Sequence, residues 1–163
     1  MTRARIIALL ITSLAAGARS ATVRIRVDVT ATVVSNCRLT VFPLSFGIYD
    51  PLAANAAQPA DGSTSIVLNC TRGSNAAVSF DLGLHSAGSI ERGMAGPGSD
   101  HLRYQIYRDA NRSLIWTQGL DAARVTSRGV SHPDQLSVFG RIPPGQEVAP
   151  GAYSDQLTAT VDF

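Results

Sequence analysis

The stretch Thr22–Val33, TVRIRVDVTATV, puts an apolar residue at every odd position: Val23, Ile25, Val27, Val29, Ala31 and Val33. The even positions carry Thr22, Arg24, Arg26, Asp28, Thr30 and Thr32. A period of two marks a β-strand with one face for a core and one for water. β-Branched residues fill most positions, and neither Gly nor Pro interrupts the run. Its place is unusual, because it directly follows an export signal and runs well ahead of the first cysteine. Two readings follow: the stretch is the first strand of the chain's own sheet, or it is a strand for the sheet of another chain.

The export signal is read at residues 1–20. Arg3 and Arg5 form a positive start, Ile6–Ala16 is apolar apart from Thr12 and Ser13, and Ala18-Arg19-Ser20 supplies small residues for cleavage after Ser20. The apolar run is too short to cross a hydrocarbon core. Of 163 residues this leaves enough for one domain. Three of the fourteen Arg fall in the signal, so eleven face twelve acidic residues and the mature net charge is about −1. There is no Lys, and the remaining Arg are scattered, so no basic stripe for nucleic acid or an anionic membrane is present. In an exported chain the two cysteines, Cys37 and Cys70, are expected to form a disulfide. A catalytic or metal-binding thiol pair would need a different spacing and a nearby His.

Along the mature chain, strands are expected at Val33–Val41, Thr64–Cys70, Ala76–Leu84, His101–Tyr107, Leu114–Trp116, Gln135–Ile142 and Tyr153–Phe163. Pro43 breaks the first of these, and Leu44–Tyr49 is a short apolar-aromatic piece ended by the turn Asp50-Pro51. Leu52–Ser63, the Gly-rich His85–Asp100 and the polar Gly119–Asp134 read as loops. No segment sustains a helical period, so the class is all-β, an antiparallel sandwich or barrel. The last strand runs to the final residue with no hairpin partner after it, so one of its edges needs a cover.

Catalytic chemistry finds no foothold. His85, His101 and His132 lie far apart in loops without a metal-ligand spacing, and no Ser sits in a nucleophile elbow. Trp116 and the Tyr residues alternate within short strands, which reads as core packing more than as a ligand platform. Asp50, Asp109 and Asp155 each follow an aromatic residue closely and are read as turn caps. The expectation is a protein that is not an enzyme, with no cofactor, no metal and no nucleic-acid partner.

From Cys37 onward a set of pieces recurs in a recognisable order: Leu44–Pro51 (LSFGIYDP), Cys70–Gly73 (CTRG), Arg92-Gly93-Met94, Leu102–Asp109 (LRYQIYRD), Phe139–Gln146 (FGRIPPGQ) and Pro150–Asp155 (PGAYSD), before a last strand ending in an aromatic. In these the chain resembles the spore coat protein U family, whose members include subunits of archaic (Csu-type) chaperone–usher pili. It departs from the family at Trp116, which Thr117 follows in place of Gly, and at Phe139 and Phe163, where Tyr is more frequent.

The resemblance implies an incomplete immunoglobulin-like antiparallel sandwich that lacks its last strand and is completed by donor-strand exchange. Residues 21–30 would be the N-terminal donor strand, with Val23, Ile25, Val27 and Val29 as its plugs, and residues 31–163 the pilin domain. The acceptor groove, first covered by a chaperone strand, would lie along Leu157, Ala159, Val161 and Phe163. The implied partners are neighbouring subunits in a head-to-tail polymer, a periplasmic chaperone and an outer-membrane usher. The implied role is structural, in an extracellular adhesive pilus active in adhesion and biofilm formation. A secreted coat or matrix protein that folds its own N-terminal strand into its groove is the alternative, and a single-domain tip adhesin is a more distant one.

Overall fold

A computed structural model describes residues 21–86 and 90–163; the export signal read at residues 1–20 lies outside the described residues. The chain divides into two units, residues 1–32 and 33–163. In the first, residues 21–32 form no strand, and Val23, Ile25, Val27 and Val29 are between 80% and 88% exposed. The paired strand expected over Thr22–Val33 is therefore not formed in the lone chain. Alternation prepares a segment for a sheet, but only a neighbouring strand can take up its N–H and C=O groups.

The second unit contains eight strands among the described residues: β1 (Cys37–Val41), β2 (Ala60–Cys70), β3 (Asn75–Phe80), β4 (Arg92–Ala95), β5 (His101–Tyr107), β6 (Ala123–Thr126), β7 (Asp134–Ile142) and β8 (Ala159–Asp162). They build an immunoglobulin-like sandwich of two antiparallel sheets, one in the order β1-β2-β7-β5-β4 and one in the order β6-β3-β8. Between the sheets lie Ile66, Leu68 and Cys70 of β2, Val78 and Phe80 of β3, Leu102, Tyr104 and Ile106 of β5, and Val138 and Ile142 of β7. Trp116 is fully buried, donates from Nε1 to the Val78 carbonyl at 2.8 Å, and stands edge-on to Phe80 with ring centroids 5.2 Å apart. The aromatic residues thus serve the core.

The structure departs from the expected strands where pairing, not pattern, decides. The first strand starts at Cys37; Ser35 and Asn36 are instead tied to the β2–β3 turn through Ser74 Oγ at 2.7 Å and Thr71 Oγ1 at 3.1 Å. Leu114–Trp116 reduces to a single bridge between Tyr107 and Ile115. Two strands arise in stretches read as loops: β4 pairs with β5, and β6 pairs with β3. β4 has no apolar alternation because its leading residue, Arg92, is a buried cation. Arg92 is fully enclosed, donating to the Asp81 carbonyl from Nε at 3.1 Å and Nη2 at 2.6 Å, to the Trp116 carbonyl at 2.8 Å and to Gln105 Oε1. Burial pulls its pKa below the ordinary value, opposed by nearby Tyr104, Asp81 and Asp155.

A second polar cluster fastens the approach to β8. Asp155 does not cap a local turn as expected. Its Oδ2 accepts from the Tyr104 hydroxyl at 2.8 Å, and its Oδ1 accepts from Leu84 N at 3.1 Å and lies 3.1 Å from His85 Nδ1. Burial first, and then the Asp155 carboxylate, push the Tyr104 phenol far above its usual value, which keeps it a neutral donor. Asp50 and Asp109 do cap turns, through Leu52 N and Ala53 N and through Ser113 N and Leu114 N.

Cys37 and Cys70 face each other across β1 and β2 and are joined by a disulfide spanning 33 positions of sequence. The Cys37→Ser/Cys70→Ser double variant should lose about 3–4 kcal/mol of stability, the loop-closure entropy released in the unfolded chain, read as a lower Tm. Tyr104→Phe should cost about 1–3 kcal/mol by chemical denaturation, because it takes a donor from a buried carboxylate while conserving the ring.

Candidate functional site

Among the described residues β8 pairs only with β3, and β1 only with β2, so each sheet ends in a free edge on the same side of the sandwich. Between these edges runs an apolar groove. One wall is Val41–Phe46, the other is Tyr153–Leu157, and the floor is Phe80, Met94, Tyr104, Ile106 and Val138. This part has a volume of about 300 Å³. Above it a wider stretch of about 860 Å³ continues between Leu44–Leu52 and Val148–Tyr153 over Leu102 and Ile142.

The first wall is seated by two glycines that face each other across β2 and β7, Gly62 and Gly140. A Cβ on Gly62 would come within 2.7 Å of the Ser45 carbonyl oxygen, and one on Gly140 within 2.7 Å of Phe46 and 2.8 Å of Leu44. The bare backbone lets Leu44 and Phe46 sink onto the sheet. Tyr49 then pins the end of the wall, donating to the Pro143 carbonyl at 2.8 Å and accepting from Gln146 N at 3.0 Å. The second wall uses the same device. Gly83 and Gly96 leave room for the Asp155 carboxylate and the Tyr153 ring, each of which a Cβ would meet at 2.1 Å.

The second wall is bonded on one side only. Asp81 N donates to the Thr158 carbonyl at 3.1 Å, Thr158 N donates to Asp81 Oδ1 at 2.9 Å, and Leu84 N donates to the Gln156 carbonyl at 3.2 Å. Alternate residues of a strand turn their backbone groups to opposite edges. Since Gln156 and Thr158 turn theirs toward the β3 side, Leu157, Ala159 and Val161 turn theirs toward the groove. Side chains alternate in step: Leu157, Ala159 and Val161 are half-buried against the core, and Thr158, Thr160 and Asp162 are exposed. An unsatisfied ladder along an apolar slot is what an added β-strand recognises.

Of the residues expected to form the acceptor, Leu157 lines the groove beside Val41 and Phe46. Ala159 and Val161 continue the same strand below it, paired through β3 with Phe80 and Val78. Phe163 lies past the end of β8, 55% exposed, beside Asn75 and Thr126. The sequence reading missed the wall opposite, Val41–Phe46, and the floor residue Met94. The signal for the wall was present in Gly140 and in Leu44-Ser45-Phe46, but the glycine acts across the sandwich, where local patterning does not reach. The plugs Val23, Ile25, Val27 and Val29 are exposed and in no strand.

Comparison with known proteins agrees with this geometry. The chain is 33% identical over 128 residues to Protein U of Myxococcus xanthus, covering 74% of this chain and 71% of that protein. A solved structure matches with a TM-score of 0.60 at 20% identity: the CsuC–CsuE chaperone–tip adhesion subunit pre-assembly complex from archaic chaperone–usher Csu pili of Acinetobacter baumannii. That match covers 81% of this chain and spans 41% of the length of the solved chain, and it establishes the fold. The model of the Spore Coat Protein U domain matches residues 23–160, and the chain therefore belongs to the Spore Coat Protein U domain family.

Proposed function

We propose that this protein is a structural subunit of a chaperone–usher-type surface fibre, exported through its N-terminal signal and polymerised by donor-strand complementation. The observation that carries the reading is the pairing of two unmet needs in one chain. The groove exposes a backbone edge and an apolar floor, and residues 22–30 carry four large apolar side chains on one face with no strand partner. The occupant is residues 22–30 of a second copy, with Val23, Ile25, Val27 and Val29 directed into the slot and their backbone bonded to Leu157, Ala159 and Val161. Burying four such side chains contributes on the order of 6–12 kcal/mol gross. The contact uses different surfaces on the two copies and does not close on itself, so it grows a fibre.

Before assembly the same edge must be covered, and a chaperone strand followed by exchange at an outer-membrane usher fits that need. Adhesion and biofilm formation are the roles such a fibre serves. The solved relative is named as part of a chaperone–tip adhesion subunit complex of such a pilus, and its likeness in fold supports the pathway. The role is one of assembly, without a catalytic step.

The test is the polymer itself. The mature chain, expressed with its chaperone and released, should form multimers that survive SDS without boiling. Deleting residues 21–29, or replacing Val27→Asp, should leave only monomer. Ladders that persist in both variants overturn the donor assignment. A wild-type chain that stays monomeric, and whose Tm falls on deletion of residues 21–29, points to a self-complemented coat protein instead.

A further inference from the structure

The groove fixes which face of a donor strand turns inward, but an apolar slot alone accepts slips of two residues, because each slip keeps the same face buried. The exposed row beside the slot removes that freedom. β8 and the residue before it alternate Thr158, Thr160 and Asp162 on the solvent face, so Asp162 is the only charged side chain among them. On its β3 side Asp162 sits opposite Ala77, which is in turn opposite Arg124 of β6. No ion pair to Asp162 is formed among the described residues. The solvent face of the donor carries Thr22, Arg24, Arg26, Asp28 and Thr30, all exposed.

Resting on the donor-strand reading above, we infer that the donor strand of a second copy runs antiparallel to β8 in the one register that sets Arg24 directly opposite Asp162. This brings Ile25 opposite Val161, Val27 opposite Ala159 and Val29 opposite Leu157, with Val23 opposite Phe163 at the end of the strand. The small Ala31 then falls opposite Asp155, where the Tyr104–Asp155 pair already occupies the floor.

Each alternative fails on a stated count. Sliding the donor so that Asp28 meets Asp162 places like charges side by side. Placing Thr22 there leaves Asp162 without a counter-charge and moves the larger Val29 opposite Asp155, where the Tyr104–Asp155 pair occupies the floor. Placing Arg26 there satisfies the charge, but it leaves both Val23 and Ile25 beyond Val161 and draws Val33 into the groove, and Val33 belongs to the body of its own copy. A parallel donor carries Asp28, not either Arg, toward the Asp162 end. Leu157, Ala159 and Val161 bond toward the groove, so the exposed residues between them form non-hydrogen-bonded pairs, the arrangement in which opposed side chains come closest.

The register is testable by cross-linking in the full mature chain, whose own cysteines are already paired. Three double variants combine Thr158→Cys with Asp28→Cys, the pair opposed in this register, or with Arg26→Cys or Thr30→Cys, the pairs opposed after a slip of two residues either way; all three keep Arg24 and Asp162. Under mild oxidation the Asp28→Cys/Thr158→Cys chain should give multimers that survive boiling without reductant, at least about fivefold more than either shifted pair, since only directly opposed residues reach disulfide distance. Non-covalent ladders whose covalent yield is highest for the Arg26 or Thr30 pair overturn the register and leave the donor assignment standing. Loss of non-covalent ladders in none of the plug variants overturns the donor assignment itself. In a second arm, Asp162→Arg should weaken ladder formation about two- to fivefold and Arg24→Asp/Asp162→Arg should restore it. A double reversal no better than the single one counts against the pair.

Discussion

The groove side of this sandwich answers to one constraint: among the described residues, the backbone groups along one side of β8 have no partner in their own sheet. A strand edge is a row of strong donors and acceptors at fixed spacing, and it is satisfied by water, by another strand or not at all. Here the edge borders an apolar slot, so water meets its hydrogen-bonding need while leaving Val41 and Phe42 exposed and Leu157 half-buried. A strand with an apolar face satisfies both at once.

That demand explains where the polar bonds of the molecule are placed. The β8 ladder with β3 covers only Ala159–Asp162, yet the wall of the groove runs back to Tyr153. Asp81 and Asp155 extend the hold beyond the ladder: Asp81 bonds Thr158 and Asp155 bonds Leu84 on the β3 side, and Asp155 also accepts from Tyr104 at the floor of the groove. The wall is thereby fixed without consuming the edge it presents. Glycines do the matching work opposite, since only a backbone without Cβ lets Leu44–Phe46 settle against β2 and β7. A preformed slot also spares an incoming strand the cost of ordering its receptor.

The legible part of this architecture is the part that local chemistry determines. β5 follows from the alternation of Leu102, Tyr104 and Ile106 and has the expected bounds, and the all-β class follows from many such runs with Gly and Pro between them. The disulfide follows from two cysteines in an exported chain. What stayed hidden depends on distant partners. β4 contains a buried Arg92 that reads as a surface residue until three carbonyl and amide oxygens from other segments surround it. Asp155 looks like a turn cap from its neighbours Tyr153 and Ser154, and its true partners lie 51 and 70 positions away. The groove is only partly legible: the alternation of Leu157, Ala159 and Val161 marks one side, but Val41–Phe46 becomes a wall only through Gly62 and Gly140.

The buried charges acquire a purpose from the same constraint. In a complete sandwich a further strand beside β8 would press the sheets together along their whole length, and an enclosed Arg would be a poor substitute for apolar packing. Around this groove that packing is interrupted. Arg92 gathers the carbonyls of Asp81 and Trp116 and the Gln105 amide, and so joins the loop after β3, the segment after β5 and the β4–β5 edge at one point. Its bonds are directional where hydrophobic contact is not, and they hold the sheets at a fixed separation with the slot still open. The disulfide ties β1 to β2 within their own sheet and so holds the strand that leads into the opposite wall. On the proposed donor-strand reading part of the core comes from another molecule, and the cystine and the enclosed guanidinium are cross-links that do not depend on it.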